Sequence, residues 1–284
     1  MKLYYFIFFL FFSLPSSQLL AQFESLSIGA RTQGIGQIQT IFSDSWCIFN
    51  NVGQLGKIKQ NEAVLSYSSR FQTTAFQTIT LGYVHQLENK KKDKLNPKKL
   101  GALGMGIEKF GDNLYHELKI GIGYGINIEN AGIGIKINYI QQYFQNLGTR
   151  GTISIDAGSQ VKLHKNWQVA ASIFNLNNAQ LQSDYGVNMR VPTIMRAGVL
   201  YEPLQNIKLA TEIEKDLRFA PVYRIGLEYE WRKNWHIRTG FSPNPSIWSA
   251  GVGFKSKQWT FDYALQPRHL LGFSHHFSFN LKIF

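Results

Sequence analysis

Glu212 with Glu214, and Glu228 with Glu230, are carboxylates two residues apart, a spacing that puts each pair on one face of a strand. Paired carboxyls are what glycoside hydrolysis uses. Lys208, Arg224 and Arg238 fall in the same stretch, however, and structural ion pairs are the better reading. His269, His275 and His276 suggest a metal cluster, but adjacent strand residues point to opposite faces, so His275 and His276 cannot ligate one ion without a bulge. His85 and His116 lie on other segments, with no serine and third orienting group in a recognisable motif. The run Gly121-Ile122-Gly123-Tyr124-Gly125 alternates at strand period and lacks the helix a phosphate-cradling loop requires. No catalytic residue, metal site or cofactor is therefore expected.

The elements carrying these residues share one pattern. In Tyr223, Ile225, Leu227, Tyr229 and Trp231 every apolar group shares a face, while Arg224, Gly226, Glu228 and Glu230 share the other. A ring-rich face backed by a charged one fits a barrel whose outside meets lipid and whose inside is wet. Mean hydropathy is −0.17, and beyond the leader no long apolar run exists, which excludes a helical membrane protein but not a barrel of half-apolar strands. The leader runs from Met1-Lys2-Leu3 through the apolar residues 4–12 to Leu19-Leu20-Ala21-Gln22. It reads as a signal peptide over residues 1–21, cleaved after Ala21. The single cysteine, Cys47, excludes an intramolecular disulfide framework and is expected as a small buried hydrophobe. The net charge of +12 could suggest nucleic acid. Much of it sits in Lys90–Lys94 with Lys98 and Lys99 and in short turns such as Arg232-Lys233-Asn234, as solvated turns at a membrane face would have it. No nucleic-acid partner is expected.

Strands are predicted near 63–71, 75–87, 100–110, 117–129, 131–144, 151–164, 166–175, 193–203, 206–215, 221–231, 235–242, 246–255, 257–266 and 274–284. That makes an all-β, transmembrane antiparallel barrel of about fourteen strands over residues 61–284. Connections after even strands are mostly short and polar, as periplasmic turns are, and those after odd strands longer, notably 176–192 and 266–272. The Lys-rich loop at 88–99 departs from this alternation. Trp167, Trp231, Trp235, Trp248 and Trp259 stand near predicted turns, where headgroup-level rings belong.

Residues 22–60 follow a different pattern, rich in small residues, and form a candidate plug with a short helix within 28–42 ending near Asp44. The predicted inner face carries Arg196, Lys208, Glu212, Glu214, Arg224, Glu228, Glu230, His236, Arg238 and Asp262 on the later strands. This mixed-sign wall predicts a hydrated lumen braced by ion pairs, not a one-ion filter. Earlier strands present Gly104, Gly106, Gly121, Gly123, Gly125, Gly132 and Gly134. These glycines either admit the plug backbone or relieve barrel curvature.

Gly29-Ala30-Arg31-Thr32-Gln33-Gly34-Ile35-Gly36 and Phe49-Asn50-Asn51-Val52-Gly53-Gln54-Leu55 resemble the opening of FadL/PorV-type outer-membrane proteins. There a Gly-Ala-Arg stretch precedes a short helical hatch and an Asn-Pro-Ala-Gly-Leu motif; Val52 stands here in place of proline and Gln54 in place of glycine. Glu212–Asp216, Tyr223–Tyr229, Ile237–Phe241 and Phe261–Ala264 look like the C-terminal half of the PorV/PorQ-like members, found in the phylum that uses type IX secretion. The closing Phe277–Phe284 looks like a signal read by barrel-assembly machinery, with Phe279, Leu281 and a terminal aromatic, Phe284. The resemblance implies a fourteen-stranded barrel with an N-terminal plug that includes Gly29, Ala30, Arg31, Gly34, Gly36, Asn50, Asn51, Gly53 and Leu55, in the outer membrane of a Gram-negative bacterium. It implies a non-enzymatic accessory linked to type IX secretion, with outer-membrane lipid, the barrel-assembly machinery and secretion components or exported proteins as partners. The alternative is a FadL-like channel for uptake of a small hydrophobic molecule. A third reading, a lipid-modifying barrel enzyme, needs catalytic groups near an outer rim.

Overall fold

The computed structural model describes residues 27–89, 98–182, 189–268 and 271–283. The expected leader, the tip of the Lys-rich loop, His269 and Phe284 lie outside these residues. Alternating sequence becomes strand throughout: β1 (Asn61–Ser69), β2 (Gln77–Asn89), β3 (Lys98–Gly111), β4 (Tyr115–Ile128), β5 (Ala131–Phe144), β6 (Gly148–His164), β7 (Trp167–Phe174), two short strands β8 (Gln180–Leu181) and β9 (Met189–Arg190), then β10 (Ile194–Leu204), β11 (Ile207–Asp216), β12 (Val222–Arg232), β13 (Trp235–Pro243), β14 (Ser246–Lys255), β15 (Trp259–Arg268) and β16 (Gly272–Ile283). All but β8 and β9 form one closed barrel of fourteen strands, each antiparallel to its neighbours and sealed by β1 against β16. At that seam Ala63 faces Leu281 and Leu65 faces Phe279. Closure leaves no strand edge unpaired, the condition for backbone inside a hydrocarbon layer.

The exterior is apolar. Ile79, Leu81, Met105, Ile122, Ile135, Tyr223 and Trp248 are each more than half exposed. Together such residues make an apolar surface far larger than a soluble monomer carries. The side chains between them in sequence, among them Thr80, Lys136, Arg224, Arg238 and His276, point inward and are buried. This period-two inversion, polar inside and apolar outside, is the expected one.

Buried inside is the segment before β1. The single predicted helix within 28–42 is five residues long in the structure, α1 (Ala30–Gly34). It stops because Gly36 and Gln37 take positive φ (81° and 63°) while the Gln37 amide bonds back to Thr32 O at 2.9 Å, a Schellman-type close that halts propagation. A second helix, α2 (Cys47–Asn50), follows, then a 3₁₀ turn over Val52–Lys57. The Asn51 side chain accepts from the Gly53 amide at 3.1 Å and starts that turn. Cys47 is buried, packed with Ile48, Val52 and Leu55.

The predicted loop at 176–192 is not a simple surface connection. It carries the β8–β9 pair, with Leu181 and Val191 buried against Ile140 and partly buried Phe174.

Candidate functional site: the lumen and its inner segment

Two walls of the lumen hold the inner segment by different means. On β10–β15 the means is charge. Arg238 lies 2.6 Å from both Glu228 and Asp262, Arg224 is 3.1 Å from Glu212 and 3.0 Å from Glu214, and Arg196 is 2.6 Å from Glu214. Lys208 adds a 3.3 Å contact to Glu228. The inner segment inserts its own cation: Arg31 presents Nε and Nη2 to the two Glu228 oxygens, each at 2.8 Å, and Nη1 to Asp44 at 2.9 Å. The Arg31 guanidinium also lies 4.4 Å from the Phe42 ring centroid. Burial works against the Arg31 charge, and Glu228 and Asp44 overcome it, leaving the guanidinium more basic than usual. Burial pushes the Asp44 carboxyl up, with Arg31 opposing. The backbone amides of Gln39 and Thr40 donate to one Glu212 oxygen at 2.9 and 2.7 Å.

Three of the paired carboxylates, Glu212, Glu214 and Glu228, are thus taken up in ion pairs, as the better reading of the sequence expected. Glu212 and Glu228 are buried clamps on the inner segment: the expected ion pairs are present, but they are packed against that segment and do not face a hydrated lumen. The physical reason is that a charge facing the lumen meets the inner segment before it meets water. Glu230 joins none of these ion pairs among the described residues; it is half-buried at the end of β12.

On β3–β6 the means is close approach. A Cβ on Gly134 would lie 2.3 Å from Val52 O, on Gly132 2.4 Å from Gly53 O, and on Gly125 2.7 Å from Leu55 Cβ. Gly104, Gly106 and Gly123 face Ile48, Phe49 and Val52 in the same way. Gly121 departs from the set, since its space is taken by the Lys136 and Asn138 side chains. Of the two readings left open by sequence, admission of the inner segment accounts for the other six glycines, its backbone at Gly125, Gly132 and Gly134 and its side chains at Gly104, Gly106 and Gly123. Asn51 ties this part across, donating to Thr40 O at 2.8 Å and Ser159 O at 3.1 Å.

The remaining predicted inner-segment residues all sit within the barrel. Ala30 N donates to Ser278 Oγ at 3.2 Å, and Gly36 N to Ser249 Oγ at 2.8 Å. Gly29 takes φ 95° under the Trp46 ring, and Gly34 packs on the Gly251 backbone. Asn50 exchanges two bonds with the Ile28 backbone, at 3.1 and 2.9 Å, and Leu55 is buried with Ile48, Val52 and Ile58. Three features went unread in the sequence. Trp46 donates its indole N–H to Asn280 at 2.9 Å. Gly226 and Gly240 bring β12 and β13 against the backbone of Ile35 and Gly36. Gln266 donates to Gln33 O at 2.8 Å. Gly226 and Gly240 share the alternation that marked the first glycine wall, so that signal was present.

Between the inner segment and β3–β7 lies a cavity of about 60 Å³, lined by Phe49, Val52, Phe110, Lys119, Lys136, Ile140, Phe174 and Val191 among others. Lys119 stands 4.1 Å from the Phe174 ring centroid and Lys136 5.5 Å from that of Phe49. A cavity of about 150 Å³ is what accommodates benzene in a protein core. A ring-sized cargo therefore fits this cavity only if the inner segment or the β8–β9 pair shifts.

The histidines part as strand geometry requires. His275 faces outward with Nδ1 2.9 Å from Tyr263 OH, and His276 faces inward with Nδ1 2.9 Å from Ser68 Oγ. Among the described residues no cluster of three His, Cys, Asp or Glu is placed to hold a metal. Phe279 and Leu281 point outward near the β1 seam.

No protein-family model matches the chain, and no curated protein matches it. Solved structures do. A monoaromatic hydrocarbon channel, CymD, superposes with a TM-score of 0.66 at 13% identity, covering 92% of this chain and 99% of that one. The toluene transporter TodX of P. putida gives 0.65 at 11%, covering 92% and 99%. A FadL homologue of Pseudomonas aeruginosa gives 0.60 at 9%, covering 89% and 97%. At these identities the likeness is one of architecture: the chain has the fold of the FadL-type channels.

Proposed function

We propose that this protein is a non-enzymatic outer-membrane channel that takes up a small hydrophobic molecule past a displaceable inner segment. One observation carries the reading: an internal segment fills the lumen, yet leaves a partly aromatic cavity beside the wall where it is held by packing and not by charge. The structural likeness to hydrocarbon channels supports transport over the secretion-accessory role expected from sequence, for which none of the neighbours offers a particular argument. The apolar exterior supports residence in lipid. Partnership with barrel-assembly machinery rests on the outward Phe279 and Leu281 alone.

Uptake of radiolabelled toluene and of a C8 alcohol by cells expressing the wild type or an empty vector tests this. Faster uptake of at least one probe, lost when Cys replacements of Ser43 and Gln160, whose side chains meet at 2.8 Å, are cross-linked to tie the inner segment to β6 and regained on reduction, is the expected result. Equal uptake with and without the protein sinks the reading. Loss of a co-purifying secretion component on altering loop 176–192 would restore the accessory role.

A further inference from the structure

Three turns on one rim carry a lysine, a side-chain amide and a tryptophan in succession: Lys165-Asn166-Trp167, Lys233-Asn234-Trp235 and Lys257-Gln258-Trp259. Each is fixed alike. The middle residue's carbonyl accepts from the adjoining strand, Asn166 O from Glu202 N at 2.9 Å, Asn234 O from Lys255 N at 2.8 Å and Gln258 O from Lys282 N at 2.8 Å. That bond leaves the lysine exposed in the turn and sends the tryptophan into the next strand facing outward. Trp167 is 44%, Trp235 46% and Trp259 37% exposed. Their rings are braced by Tyr201 at 4.3 Å for Trp167, and by Phe254 at 4.9 Å for Trp235 and 5.3 Å for Trp259. Among the described residues none of the three lysines is in an ion pair with a carboxylate, unlike the arginines of the lumen. Arg232, 4.8 Å from the Trp231 ring, adds a fourth cation at the same level. The opposite rim has no such motif: its connections 112–114, 145–147 and 244–245 contain no lysine or arginine, and Arg70 and Arg218 in two of its other connections have no tryptophan beside them in sequence.

We propose that these three Lys-Asn/Gln-Trp turns are headgroup sites for an anionic glycerophospholipid in the leaflet on the short-turn, periplasmic side. The ammonium pairs with the phosphate, and the indole N–H reaches the ester level while the ring stays in the acyl boundary. A membrane lipid is the occupant, not an acidic protein, because the rings project sideways from the barrel wall instead of off its end. The inference rests on the barrel spanning a membrane, and not on what it transports.

The test is native mass spectrometry of the detergent-solubilised protein titrated with dioleoylphosphatidylglycerol or dioleoylphosphatidylcholine. The wild type should favour phosphatidylglycerol by about fivefold per site. K165Q/K233Q/K257Q should lose most of the preference, keeping only what Arg232 supplies, W167F/W235F/W259F should show a reduced preference, and K109Q/K215Q/R218Q, which removes equal charge from the other end, should match the wild type. Equal binding by the wild type, an undiminished preference in the first triple variant, or an equal loss in the control overturns the proposal. A chain that did not span membranes would stay dispersed without detergent, a failure seen before any lipid is added.

Discussion

The wall of β10–β15 and the wall of β3–β6 grip the same inner segment, one with buried charge and the other with absent side chains. The two grips fail differently. A buried ion pair adds little over an apolar substitute, yet removing one partner leaves an uncompensated charge, so the charged wall fixes one position and tolerates no half-broken state. The glycine wall sets how near the backbone comes but has no such penalty for a slide of the 3₁₀ turn. The cavity lies on the glycine side, so movement is expected to begin at Val52–Lys57 while Arg31 stays anchored.

The largest test of that contrast is Arg238→Ala, which strands Asp262 and leaves Glu228 to Arg31 and Lys208. A loss of about 3–5 kcal/mol is expected in urea unfolding from vesicles; a loss under about 1 kcal/mol would mean that water reaches this wall. Gly134→Ala comes next. Its methyl collides with Val52 O, and a cost of about 1–3 kcal/mol is expected, with faster hydrogen exchange at 52–57 and none at 30–34. Equal exchange in both stretches would dissolve the distinction between the walls. Trp46→Phe keeps the ring and drops the bond to Asn280, for about 1 kcal/mol, read as a lower midpoint at unchanged slope. Glu230→Gln, outside the ion-pair network, should stay within about 0.5 kcal/mol of the wild type. A larger change would extend the charged wall to the barrel's end.

Strand positions were legible because a barrel repeats one instruction, apolar outside and small or polar inside, and Tyr223–Trp231 states it without help from distant residues. Arg224, Arg238, Glu212 and Glu228 were legible as inward for the same reason. What they touch was not. Arg31 reaches Glu228 across 197 positions of sequence, and no local period encodes that meeting. The helix within 28–42 was drawn too long because its small residues satisfy helical spacing, while the bend at Gly36–Gln37 is imposed by packing on Gly240. The buried β8–β9 pair was missed because two-residue strands have no period to read.

The bond from Ala30 N to Ser278 Oγ joins residues 248 positions apart, and it bears on how the molecule is made. The inner segment precedes β1, but the strands that α1 contacts, β13 to β16, come last. Until β12 is in place Arg31 has no Glu228, and until β16 is in place Trp46 has no Asn280. Ordering so distant a contact is slow by chain entropy alone. The segment therefore gains its full set of partners only as β16 comes to lie beside β1. The piece of chain that comes first in sequence is thus bound to the strand that comes last, and fixing the interior is tied to closing the barrel.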